Sequence, residues 1–65
     1  MTHEAKINEA RNMIENLKIG EYIEVEYLGE LISWKKNELE METYCNGLVN
    51  FQYFDFVANV IAETL

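Results

Sequence analysis

Tyr22-Ile23-Glu24-Val25-Glu26-Tyr27-Leu28-Gly29-Glu30-Leu31-Ile32-Ser33-Trp34-Lys35 is the stretch on which the reading of this chain turns. Ile23, Val25 and Tyr27 alternate with Glu24 and Glu26, the period of two expected of a half-buried strand over residues 22–28. Gly29-Glu30 suits a two-residue loop with Gly at the first central position, as a type II′ hairpin turn requires. That register sets Tyr27 opposite Ile32, Val25 opposite Trp34, Glu26 opposite Ser33 and Glu24 opposite Lys35. Each face then matches like with like, and an opposite charge stands across from Glu24.

Working downstream, a loop centred on Lys36-Asn37 keeps the same parity, with Trp34 facing Leu39, Ile32 facing Met41, Ser33 facing Glu40 and Lys35 facing Glu38. Asn46-Gly47 is a type I′ turn signal, but a two-residue loop there would set Glu42 against Phe51 and Met41 against Gln52. A three-residue loop, Cys45-Asn46-Gly47 with Gly47 left-handed in a bulge, instead joins Thr43 to Val49, Met41 to Phe51, Leu39 to Tyr53 and Glu42 to Asn50. The three-residue loop is therefore the expectation.

Upstream, Ile7, Ala10, Ile14 and Leu17 form a helical stripe, with Glu9, Asn12, Glu15 and Asn16 on the polar side. Thr2 as N-cap, Glu4 in the first turn, and Lys18 followed by Gly20 mark a helix from about residue 2 to residue 18. At the other end Asp55 can cap a helix over 56–64, where Val57, Val60 and Ile61 again follow helical spacing. The expected fold is α+β: a two-layer sandwich, a four-stranded antiparallel meander with an N-terminal and a C-terminal helix on one face, in the order α-β-β-β-β-α. The helices would cover Ile23, Val25, Tyr27, Ile32, Trp34, Leu39, Met41, Val49, Phe51 and Tyr53. The other face is left bare.

On that bare face the expected register collects Glu24, Glu26, Glu38, Glu40 and Glu42, with Ser33, Lys35, Asn50 and Gln52 between and beside them. Carboxylates two apart along a strand lie about 6.5–6.8 Å from one another, and neighbouring strands about 4.8 Å. Such a lattice can offer a nucleic-acid-binding protein what its groove expects of a phosphate backbone. Glutamates on an exposed sheet face also serve solubility and discourage edge pairing, so that alternative stands beside the first. Leu28 and Leu31 meet across the first hairpin tip on the same side, and Tyr44 and Leu48 come to that end, giving Leu31, Tyr44 and Leu48 as apolar anchors of an interface.

The 65 residues carry 12 acidic against 5 basic side chains, net −7, and the segment 21–42 holds seven Glu against two Lys, net −5. Without a basic cluster, direct contact with nucleic acid or an anionic membrane is disfavoured, and a basic protein surface is the favoured partner. A hydrophobic fraction of 49% argues against disorder. No apolar run reaches a membrane span, and residues 1–7 lack the apolar centre of a signal peptide. Cys45, the one cysteine, allows no internal disulfide, which fits a reducing, cytoplasmic compartment.

Catalytic groups do not converge in the sequence. His3 is the one histidine, at a helix start, Cys45 has no base to activate it, and Ser33 lacks a glycine-rich elbow. Glu38, Glu40 and Glu42 diverge along a strand rather than wrap an ion, no Cys/His set suits zinc, and the three glycines form no phosphate loop. No enzyme activity, cofactor or metal is expected. In size, charge and lack of catalytic residues the chain resembles small acidic α+β phage-encoded inhibitors of restriction, repair or CRISPR nucleases, a class that includes DNA mimics. The resemblance implies an inhibitor or regulator docking its acidic face on a nucleic-acid-acting protein. A second expectation is a homo-oligomerisation module that buries the Leu28, Leu31, Tyr44 and Leu48 end or pairs an edge strand in a symmetric dimer.

Overall fold

The computed structural model describes residues 2–65, so the reading of the first residues lies partly outside it, at Met1. The order is α1 (His3–Glu15), β1 (Tyr22–Tyr27), β2 (Glu30–Lys36), β3 (Met41–Cys45), β4 (Leu48–Gln52) and α2 (Phe54–Thr64), an α-β-β-β-β-α arrangement. The strands form one antiparallel sheet in the order β1-β2-β3-β4. Cα extents of 32 × 27 × 15 Å leave depth for two layers only, a sheet and a pair of helices, given layer spacings of about 10 Å.

Thr2 caps α1 as its type and place demand, its Oγ1 accepting the Ala5 amide at 3.1 Å. The helix ends at Glu15, three residues before the expected limit, and has no base in its last turn. Lys36 of β2 supplies one from across the core: its Nζ donates to the carbonyls of Ile14 at 2.8 Å, Leu17 at 2.9 Å and Glu15 at 3.4 Å. α2 starts at Phe54, with Tyr53 at the cap position, so Asp55 lies in the first turn and favours the helix through the dipole rather than as a cap.

Ala10 and Ile14 of α1, Val57, Ala58, Ile61 and Ala62 of α2, and Trp34 and Met41 of the sheet make the core. Trp34 is 1% exposed, and truncating such a side chain to Ala costs about 3–5 kcal/mol. Its indole Nε1 donates to Gln52 Oε1 at 3.1 Å, and Thr43 Oγ1 donates to the same oxygen at 3.0 Å. Gln52 of β4 thereby satisfies two donors that the core would otherwise strand.

The registers differ from expectation at all three turns. The first loop is Leu28-Gly29, with φ of 51° and 80°, a type I′ turn that pairs Tyr27 with Glu30, Glu24 with Ser33 and Glu26 with Leu31. The second is a four-residue loop, 37–40, closed by the Asn37 amide on the Glu40 carbonyl at 3.0 Å, and it pairs Trp34 with Thr43 and Lys35 with Glu42. These shifts of two and four residues leave every side chain of β1 and β2, and those of β3 from Met41 on, on its expected face. They do remove Glu38, Leu39 and Glu40 from the sheet, and Leu39 is 82% exposed instead of buried.

The third difference changes faces. Asn46 and Gly47, with φ of 52° and 77°, form a two-residue type I′ turn, so Glu42 pairs with Phe51, Tyr44 with Val49 and Met41 with Gln52. A slip of one residue turns the whole strand over. Phe51 at 58% and Val49 at 51% exposure stand on the uncovered face, while Leu48, Asn50 and Gln52 share the helix-bearing face. Tyr53, also expected in the core, is exposed at the cap of α2. The Asn46-Gly47 turn and the Gln52 hydrogen bonds to Trp34 and Thr43 go with this orientation, in which β4 adds no residue to the buried core.

Candidate protein-binding face

The uncovered face is built by the alternation of each strand and ordered by the registers. One row runs Tyr22, Lys35, Glu42, Phe51; the next runs Glu24, Ser33, Tyr44, Val49; Glu26 and Leu31 complete it near the first turn. Three glutamates against one lysine give the face a net −2, with Glu24 and Glu26 both on β1. The β3–β4 side is aromatic and aliphatic. The rings of Tyr22 and Tyr44 reach over β2 to a centroid distance of 6.1 Å at 43°, a favourable tilted pair.

Polar contacts fix several of these groups. Ser33 Oγ donates to Glu24 Oε2 at 2.9 Å. The Tyr44 hydroxyl is pushed up to about 12, chiefly by its hydrogen bond to the Glu42 carboxylate, with loss of hydration and the Glu42 and Tyr22 groups adding to it. The shift keeps the Tyr44 proton in place to higher pH than an ordinary phenol.

Of the residues expected to bind a partner, Glu24, Glu26, Glu42, Leu31 and Tyr44 stand together on this face. Glu38 and Glu40 lie in the β2–β3 loop, so the five-carboxylate lattice does not form. Leu48 sits beside Cys45 on the opposite face, because β4 is turned over, and the cluster of Leu28, Leu31, Tyr44 and Leu48 is not assembled. Sequence reasoning missed Phe51, Val49 and Tyr22. Alternation from Ile23 already sends Tyr22 outward, and the Asn46-Gly47 turn signal, taken at face value, delivers Phe51 and Val49.

The helix-bearing side holds a shallow groove of ≈ 250 Å³ beside α2, whose lining includes Trp34, Thr43, Cys45, Asn50, Gln52 and Phe56. Cys45 Sγ donates to Glu30 Oε2 at 3.4 Å, and burial, with the Glu30 hydrogen bond and charge behind it, pushes the thiol up. A thiol held protonated is a poor nucleophile. Among the described residues no group of three His, Cys, Asp or Glu is placed to hold a metal ion, and no helix is long and apolar enough to cross a membrane. Comparison with protein-family models, curated proteins and solved structures finds no match for this chain.

Proposed function

We propose that this chain is a non-enzymatic protein-binding inhibitor or regulator that docks its uncovered sheet face on a partner surface basic at the rim and apolar within. A protein that handles nucleic acid is the partner class that the charge favours, in the manner of a DNA mimic, and a cytoplasmic setting suits the free thiol of Cys45. One observation carries the reading: Tyr22, Leu31, Tyr44, Val49 and Phe51 lie on a sheet face that no helix covers, flanked by Glu24, Glu26 and Glu42. Aromatic and aliphatic anchors beside a charged surround are the anatomy of an interface, and an isolated domain gains nothing by wetting them.

The test is a titration of the isotope-labelled chain with purified proteins that carry basic nucleic-acid grooves, with and without competing duplex. Shift changes confined to β1–β4 residues of the uncovered face, lost on adding duplex or salt and in Glu24→Lys/Glu26→Lys/Glu42→Lys, would support it. Binding through the helices, or binding indifferent to the triple reversal, would refute it.

A further inference from the structure

We propose that β4 is a self-pairing edge: two copies of this chain join antiparallel through β4 about a two-fold axis at Asn50, making one continuous eight-stranded sheet from two sheets of four. This edge shares Val49 and Phe51 with the uncovered face but uses their outward backbone groups, and the self-pairing stands without the hetero-partner reading.

The backbone supplies the first reason. A two-residue turn closes on a hydrogen-bonded Cys45–Leu48 pair, and alternation from there directs the N–H and C=O of Val49 and Phe51 away from β3, toward open edge. A two-fold at Asn50 sets Val49 opposite the partner's Phe51, and Phe51 opposite the partner's Val49. Each such pair exchanges two N–H···O bonds, so the four outward groups of each strand are all satisfied. Any other register leaves some unpaired.

Side chains agree with that register. The uncovered face then carries two rows of Tyr44, Val49 and Phe51 contributed by both copies, closing the half-exposed Val49 and Phe51 against each other across the edge.

Charge selects a second copy as the occupant. No residue from Thr43 to Phe54 is charged, in a chain with 17 charged side chains, so a net −7 molecule can approach its own kind here without opposing charge. The two Glu42 carboxylates would lie about 16 Å apart from strand spacing and rise, beyond the screening length of about 8 Å at physiological salt.

Sedimentation equilibrium from micromolar to millimolar concentration tests the pairing. The native chain is expected at the mass of two 7.7 kDa copies at the upper end, with the Val49 and Phe51 amides protected from hydrogen exchange. Val49→Pro removes an outward N–H without breaking a β3–β4 bond, and should weaken the dimer at least about tenfold. Phe51→Lys, on an exposed position, should do the same, whereas Glu26→Pro at the opposite edge should leave it unchanged. A native chain that stays monomeric throughout, or a dimer untouched by both β4 variants, overturns the proposal.

Discussion

Along the free edge of β1 the outward backbone groups belong to Tyr22, Glu24 and Glu26, whereas along β4 they belong to Val49 and Phe51. Both edges follow from two-residue type I′ turns, and both could pair with a second copy in the same geometry. Pairing about Val25 would place Glu24 against the partner's Glu26, about 5 Å apart at Cβ, a like-charge contact that blocks association. Pairing about Asn50 places Val49 against Phe51. The comparison teaches that a small sheet can protect one edge with charge while leaving the other open, and that the choice is set by which side chains share the outward backbone groups.

The edges also differ in how they are fastened. β1 meets α2 directly, and Tyr27 Oη donates to Glu63 Oε2 at 2.5 Å. β4 contributes no residue to the buried core and is anchored inward by the Gln52 amide oxygen. Gln52→Leu strands the Trp34 indole N–H and the Thr43 hydroxyl, and stability in urea should fall by about 2–3 kcal/mol. Asn50→Leu, on the same strand and face, should change it by less than about 0.5 kcal/mol. Equal effects would mean that β4 is not held by this bond.

The two turns give a smaller contrast. Leu28 adopts φ 51° while 85% exposed, whereas Asn46 adopts φ 52° with a side chain suited to it. Leu28→Asn should stabilise by about 0.5–1 kcal/mol, and Asn46→Leu should destabilise by a similar amount, both read from thermal midpoints. A loss at Leu28 would show that its exposed side chain has a folding role. The smallest effect is spectroscopic. Tyr44 has its proton held to about 12, above the ordinary 10.0, so the associated stability is complete below pH 10 and is lost as pH rises toward 12. Ultraviolet titration should find a late phenol that Glu42→Gln brings back toward 10.0; an unchanged curve would separate Tyr44 from Glu42.

These contrasts also explain what could be read from residues alone. The element order, the Thr2 cap and the faces of β1, β2 and residues 41–45 were legible, because period-two alternation determines the face and survives register shifts of two or four. Registers were not legible at the first two turns, since parity cannot separate a Gly29-Glu30 loop from a Leu28-Gly29 loop, and Asn37-Glu38-Leu39-Glu40 carries no strong turn signal. At β4 two principles disagreed by one residue. Burying Phe51 required a three-residue loop, while Asn46-Gly47 required two, and an inward Gln52 brings the buried Trp34 N–H its acceptor. For the site, the acids of β1 were legible and the apolar half was not, because it depends on that one slip.

The orientation of β4 is the central claim, and Hα–Hα nuclear Overhauser effects report it directly, since facing residues in non-hydrogen-bonded antiparallel pairs approach to about 4.5 Å at Cα. Strong cross-peaks between Glu42 and Phe51 and between Tyr44 and Val49 are the expected result. Cross-peaks between Met41 and Phe51 and between Thr43 and Val49 would contradict it, returning Phe51 to the core and removing both the apolar half of the face and the self-pairing edge.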